Sequence, residues 1–165
     1  MFGRIAKFAE AEKAGIEAAS GSATIYQTPL GRGPRQATGS AQTRLPTVEP
    51  NDLAQFNAFL FGIPAVGVMR MSVASKALFP DLRVNENILG ICGPVVVGGQ
   101  KVIAMSVVST FAHFGIIGEI VAHGQVTGSP WGAGAFAGRK DPTAIELEIA
   151  TSQGGMFYER ITATY

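Results

Sequence analysis

The chain opens with a helix rather than a strand, and this order constrains its fold more than any other feature. Residues 3–19 carry apolar side chains at helical spacing, and a short strand is predicted at 23–27. The predicted apolar face of this helix consists of Ile5, Phe8, Ala9, Ile16 and Ala19. In alternating α/β proteins the first helix follows a strand. The turn between them favours anions, because unpaired backbone N–H groups and the helix dipole point there. Only Met1, Phe2 and Gly3 precede this helix, so we expect a reduced turn.

Composition predicts one globular domain. The 165 residues are 47% hydrophobic and 15% charged, and the low charge favours a partly covered surface, as in a homo-oligomer. A net charge of +1 gives no argument for nucleic acid. The single cysteine, Cys92, excludes an internal disulfide and suits a reducing compartment, so we predict a cytoplasmic protein. No transmembrane segment is expected, because no apolar run reaches the ~20 residues needed.

Helices and strands alternate along the rest of the chain. Nearly continuous apolar runs predict buried strands at 56–63, 88–97 and 116–122. A capped helical turn is predicted at 51–55, and longer helices at 68–79 and 100–114. The last helix opens with a capping box, in which Thr143 is the cap and Glu146 the third helical residue.

Residues 28–50 are rich in proline and glycine, and we predict a flexible loop there. A second interpretation stays open for this segment. Its arginines, Arg32, Arg35 and Arg44, would then form a basic flap that steers an anionic ligand.

The order of elements predicts an α/β domain with a doubly wound parallel sheet. Ligands of such sheets bind beyond the carboxyl ends of the strands. Four segments are expected at that edge: residues 1–4, 64–69, 92–99 and the glycine-rich 124–138.

Five stretches together resemble the WrbA-type NAD(P)H:quinone oxidoreductases, and the fungal branch of that family most closely. They are residues 5–19, 57–64, 109–115, 128–134 (GSPWGAG) and 146–150, and the resemblance covers nearly the whole chain. It implies a flavodoxin-like fold, FMN as cofactor, NAD(P)H as electron donor and a quinone as substrate. It also implies a homo-oligomer, or co-assembly with intact relatives.

The resemblance implies that residues 1–165 form a single flavodoxin-like domain. Its doubly wound parallel sheet would lack the first strand that is usual in the family. The strand order of such folds is 2-1-3-4-5, so the absent strand would leave a gap inside the sheet. We expect either that a segment within 28–50 fills this gap, or that the strand at 23–27 pairs directly with residues 58–63.

The resemblance also locates the flavin-binding loops, and each departs from the family pattern. The phosphate loop, Ser-Met-Tyr-Gly-His in the family, corresponds to Phe2, Gly3 and Arg4, of which Arg4 can still contact a phosphate. The second loop, Pro-Thr-Arg-aromatic-Gly-Asn, replaces its hydroxyl and guanidinium with methyl groups. Its residues here are Pro64, Ala65, Val66 and Gly67.

The third flavin loop reads Ser-Thr-Gly-Thr-x-Gly-Gly-Gly-Gln in the family. Here it has lost its hydroxyls, and its proline removes one backbone donor. The matching residues are Cys92, Gly93, Pro94, Val95, Gly98 and Gly99. His113 matches a family histidine beside the flavin and is the candidate catalytic residue. By its position alone, near a helix C-terminus, a packing or capping role is equally open. The sequence shows no metal-ligand spacing.

We therefore expect an FMN-dependent NAD(P)H:quinone oxidoreductase that reduces quinones by two electrons and binds its flavin weakly. Each lost polar contact would cost about 1–3 kcal/mol. Two alternatives remain open. One is a flavin-free flavodoxin-like protein that acts as a binding or regulatory partner, or on a hydrophobic aromatic small molecule. The other is a truncated and marginally folded product.

Overall fold

A computed structural model describes residues 4–27, 45–53, 55–62, 88–92, 105, 109, 117–118, 133–134 and 141–164. These residues contain helices α1 (Arg4–Ala18), α2 (Pro50–Leu53) and α3 (Ala144–Thr164), and strands β1 (Ala58–Gly62), β2 (Ile88–Cys92) and β3 (Ile117–Gly118). Met105 and Ser109 are helical, within the helix predicted at 100–114. The helix predicted at 68–79 lies outside the described residues. No helix in the described ranges is long and apolar enough to cross a membrane.

The three strands pair in parallel, in the order β1-β2-β3. The β1–β2 register runs from the Ala58–Ile88 pair to the Gly62–Cys92 pair, and β3 joins β2 at the Ile88–Ile117 pair. Parallel neighbours need long crossover connections, so helices and strands alternate in an α/β architecture. Residues outside the described ranges would decide the doubly wound order and the missing first strand, so both stay predictions.

The strand predicted at 23–27 is wrong. Residues 21–26 have no regular structure, and only Gln27 pairs, in an isolated parallel bridge with Thr47. The Gln27 N–H donates to the carbonyl of Pro46 at 2.8 Å, and its carbonyl accepts the N–H of Val48 at 2.9 Å. Strand propensity depends on the neighbours a segment meets, and this one meets the stretch 45–48 instead of a sheet. Its predicted pairing with β1 is therefore wrong as well.

The helical turn predicted at 51–55 exists, but it begins one residue earlier. Pro50 is its first residue, a position where the missing N–H costs nothing. The Asp52 carboxylate accepts the N–H of Glu49 at 2.9 Å, so the cap lies at Glu49. Val48 and Leu53, on either side of this cap, are both buried. This part of the range 28–50 is thus fixed, while residues 28–44 lie outside the described ranges.

Local hydrogen bonds set the ends of the two long helices. At the start of α3 the Thr143 N–H donates to Glu146 Oε2 at 2.6 Å, and the Glu146 N–H donates to Thr143 Oγ1 at 3.2 Å, which confirms the capping box. At the end of α1 the N–H of Gly21 donates to the carbonyl of Ile16 at 2.9 Å. Ser20 has φ 71°, so a serine takes the left-handed position that usually holds glycine in this motif.

Helices α1 and α3 run parallel and touch through their backbones. A Cβ on Gly154 would overlap the carbonyl oxygen of Glu12 and lie 2.7 Å from its carbon. A Cβ on Gly15 would overlap the Thr151 carbonyl oxygen. At the far end, a Cβ on Gly21 would lie 2.6 Å from the Tyr158 ring. The absence of side chains at these glycines therefore sets the helix separation.

The buried stripe of α1 passes through Phe8, Glu12, Gly15 and Ile16 rather than through apolar residues alone. Side chains on this stripe meet α3, because spacings of three and four residues share one helix face. The predicted apolar face, Ile5, Phe8, Ala9, Ile16 and Ala19, is thus only partly correct. The prediction did not include Gly15, where the missing side chain allows α3 to approach α1 closely.

Both helices lie on one face of the sheet, since α1 contacts β1, α3 contacts β2, and the two helices contact each other. Gly62 faces Ile5 of α1. Phe59, three residues earlier in β1, points to the opposite face and is also buried. Its ring centroid lies 6.2 Å from that of Phe61. The strand β1 is therefore covered on both faces, as the strands of α/β proteins are.

We predict that Gly154→Ala lowers the free energy of unfolding by about 1–3 kcal/mol, because the new methyl group forces α1 away from α3. Gly155→Ala is the matched control. Its Cβ would lie 3.5 Å from the Gly15 carbonyl oxygen, an ordinary contact, and alanine favours the helix. Urea unfolding followed by circular dichroism measures both variants. Equal stability of the two would contradict backbone contact at Gly154.

Ser20→Gly should raise the free energy of unfolding by about 0.5–1 kcal/mol, because glycine adopts the left-handed conformation without a steric penalty. Ser22→Gly is the control, since Ser22 is exposed and has no positive φ. There glycine only adds freedom to the unfolded chain, so stability should fall slightly. Thermal unfolding compares the two variants, and a loss of stability at position 20 would refute the prediction.

Candidate functional site

Helix α1 begins at the carboxyl end of β1. Gly62 is the last residue of β1, and a Cβ there would overlap Cγ2 of Ile5 in the first turn of α1. Gly62 also pairs with Cys92, the last residue of β2. The start of one helix and the ends of two strands therefore meet at one edge of the sheet.

Three of the four segments expected at the ligand edge are attached to these points. Residues 1–3 lead into Arg4, residues 64–69 follow shortly after Gly62, and residues 93–99 follow directly after Cys92. Gly62 keeps this arrangement compact, because a side chain at that position would overlap the Ile5 side chain in the first turn of α1. We name the meeting point of Arg4, Gly62 and Cys92 the carboxyl edge.

Two of the predicted site residues lie within the described ranges, and both are at the carboxyl edge. Arg4 opens α1 and is partly exposed, and Cys92 closes β2. The other predicted residues lie outside the described ranges, so their roles stay predictions. They are Phe2, Gly3, Pro64, Ala65, Val66, Gly67, Gly93, Pro94, Val95, Gly98, Gly99 and His113.

The first turn of α1 has a positive potential. It carries Arg4 and no acidic residue, and its N–H groups point out of the helix end. Lys7 forms an ion pair with Asp141 at 2.7 Å, and about half of each side chain is exposed (48% and 54%). Solvent screens such a pair, so it contributes little to stability. The positive end of α1 at this edge favours an anionic group.

Of the fourth segment, the glycine-rich stretch 124–138, the structure describes residues 133 and 134. Ala133 is 1% exposed and packs with Phe8 of α1 and Ala150 of α3. Its N–H donates to Oε1 of Gln153 at 2.5 Å, and Gln153 is 2% exposed. Ala133 is thus held between the two helices.

Sequence reasoning missed Gln153. The available signal was a polar residue followed by Gly154 and Gly155 inside a long helix. Such a group interrupts a helix at a cost, so it indicates a close contact or a buried hydrogen bond. Among the described residues, no group of three or more His, Cys, Asp or Glu side chains could hold a metal ion.

Comparison with known proteins gives the family. No family model matches the chain. Protoplast secreted protein 2 of Saccharomyces cerevisiae is 34% identical, over 98% of this chain and 93% of the relative. The Candida albicans NAD(P)H quinone oxidoreductases PST1 and PST3 are 32% and 31% identical, over 98% of this chain and 93% and 94% of theirs. The chain belongs to the family of fungal NAD(P)H quinone oxidoreductases.

Family membership confirms the resemblance found in the sequence at the level of a quinone oxidoreductase-type family. The alignment with the Saccharomyces relative extends over 186 positions, whereas this chain has 165 residues. Gaps therefore open within this chain, and the relative carries internal segments that have no counterpart here.

Contact between Gly62 and Ile5 can be tested by a double-mutant cycle. Gly62→Ala should destabilise the chain by about 1–3 kcal/mol, because its methyl group meets the Ile5 side chain. Ile5→Ala removes the Cγ2 atom that causes the overlap. The double variant should therefore lose less stability than the two single variants together, by at least about 0.5 kcal/mol in urea unfolding. Strict additivity would show that α1 does not begin at this strand end.

Proposed function

We propose that this chain is a quinone reductase that takes electrons from NAD(P)H, uses FMN and reduces quinones by two electrons, with weakened flavin binding. The observation that carries the proposal is the carboxyl edge, where Arg4, Gly62 and Cys92 meet. In flavodoxin-like sheets this edge is where a flavin nucleotide binds. The relatives named NAD(P)H quinone oxidoreductases supply the donor and the substrate class.

The residues at the start of α1 suit the phosphate of FMN. Arg4 is cationic, the first helical turn offers N–H donors, and the residues of that turn include no acidic side chain. We therefore assign phosphate binding to Phe2, Gly3 and Arg4. The family's serine hydroxyl has no counterpart among them.

The residues assigned to the flavin ring suit it less well. Ala65 and Val66 offer only methyl groups, and Pro94 has no N–H to donate. Each hydrogen bond lost to a polar ring edge would cost about 1–3 kcal/mol, so three losses would weaken binding by several orders of magnitude. The flavin would then be held mainly by its phosphate and by apolar contact.

When bound, FMN supplies the hydride chemistry, and the protein supplies binding, orientation and access. The apolar side chains of Val66 and Val95 would exclude water from a bound aromatic ring. His113 is the titratable side chain that we place beside the ring, where its imidazole can hold or release a proton near neutral pH. We further propose a cytoplasmic protein that forms a homo-oligomer or co-assembles with intact relatives.

A second candidate function is a flavin-free protein that binds hydrophobic aromatic molecules or a regulatory partner. The replacement of polar flavin contacts by Ala65, Val66 and Val95 favours it. An apolar pocket at the carboxyl edge would take an aromatic molecule without needing a nucleotide.

Flavin titration distinguishes the two functions. We predict that the wild-type chain binds FMN weakly, and that Arg4→Ala weakens FMN binding about tenfold by removing a charged phosphate contact. Riboflavin has no phosphate, so its affinity should not change. The Ala65→Thr/Val66→Arg variant should bind both flavins more tightly. Flavin fluorescence and absorbance measure affinity, and oxidation of NADH or NADPH with benzoquinone measures activity.

Lys13→Ala is the matched control for charge. Lys13 lies on α1 away from its first turn and pairs with Glu17 at 3.5 Å, so its loss should leave FMN affinity unchanged. Equal effects of Arg4→Ala and Lys13→Ala would refute the phosphate assignment. A wild-type chain with no spectral change on addition of FMN would refute the flavin enzyme and favour the second candidate.

A further inference from the structure

We propose that Gln153 is a positioning residue that fixes Ala133, within the glycine-rich segment 124–138, against the helix pair beneath the carboxyl edge. Its Oε1 accepts the Ala133 N–H at 2.5 Å, and both residues are almost fully buried, at 2% and 1% exposure. A buried amide side chain is costly unless it is hydrogen-bonded, so an apolar residue would serve packing better. What glutamine adds is an acceptor for the backbone of a distant segment.

The position of this hydrogen bond links it to the site. Ala133 packs with Phe8 and Ala150. Phe8 lies four residues after Arg4, which is about 6 Å along the helix axis. Gly154, the residue after Gln153, contacts the backbone of Glu12, so the helix that carries the amide is itself held against α1. The hydrogen bond thus joins Ala133 to the packed helix pair just below the start of α1.

The loop needs such an attachment because of its composition. It contains glycine at positions 124, 128, 132, 134 and 138. Glycine loses more conformational freedom on folding than any other residue, so this loop has many alternative conformations to exclude. The hydrogen bond of the Ala133 N–H and the burial of Ala133 fix one point near the centre of this segment and restrict these alternatives. The inference rests on the proposed function only in that segment 124–138 is predicted to lie at the ligand edge.

Trp131 allows a direct test, because it is the only tryptophan and precedes Ala133 by two residues. Gln153→Leu keeps most of the side-chain volume but removes the acceptor. It should change the Trp131 emission and its quenching by acrylamide, and speed hydrogen exchange at the Ala133 amide about tenfold. Gln153→Glu introduces a carboxyl group that stays neutral when it is buried, so it retains an oxygen acceptor at the same position and should keep wild-type quenching. No flavin or quinone is present in these measurements.

Tyr158→Phe is the matched control. It removes the hydrogen bond from the Tyr158 hydroxyl to the Ser20 carbonyl, 3.5 Å long, at the other end of the α1–α3 pair. It should leave Trp131 quenching unchanged. Equal quenching of Trp131 by acrylamide in Gln153→Glu and Gln153→Leu would overturn the proposal. Packing alone would then explain the effect of Gln153→Leu. Rapid exchange of the Ala133 amide in the wild-type chain would overturn it as well, whatever the variants do.

FMN titration of the same variants tests the link to the site. Gln153→Leu should weaken FMN binding several-fold, while Gln153→Glu and Tyr158→Phe should not. Unchanged binding in Gln153→Leu would overturn the positioning role. A wild-type chain that does not bind FMN would instead refute the proposed function, and the fluorescence and exchange measurements would still decide the role of Gln153.

Discussion

The close approach of α1 and α3 is the contact on which the rest of the structure depends. Gly15 and Gly154 allow the two backbones to touch, and no larger residue fits at either position. This short separation brings Phe8 and Ala150 together around Ala133. Packing at this density leaves little room for adjustment, because interiors tolerate neither added methylenes nor voids. The two helices therefore form one tightly packed layer, and the sheet packs against it.

That layer determines where the carboxyl edge forms. Each helix contacts a different strand, α1 on β1 and α3 on β2, so the helix pair spans the β1–β2 pairing. Gly62 allows α1 to begin directly at the end of β1. The positive end of α1 thereby faces the point where the two strands end. The geometry of the edge follows from glycines in three separate elements, and its charge follows from Arg4 and the helix end.

Features determined by neighbours in sequence could be predicted, and features determined by distant contacts could not. The capping box at Thr143 and Glu146 was predicted correctly, since both partners lie within one helical turn. The strand expected at 23–27 was not, because Gln27 pairs with Thr47 across a segment whose path no local pattern reveals. Arg4 and Cys92 were placed at the edge by the general rule for parallel sheets. Gln153 was missed because its partner, Ala133, is 20 residues away.

The pairing of α1 with α3 also has a consequence for folding kinetics. Residues 4–18 form their main contacts with residues 144–164, so the two helices come from opposite parts of the sequence. Contacts of such high sequence separation require a long loop to close first, and that slows folding. During synthesis, the buried stripe of α1 cannot pack against α3 until α3 has left the ribosome. In the interval Phe8 and Ile16 are exposed, and exposed apolar side chains favour aggregation of newly made chains.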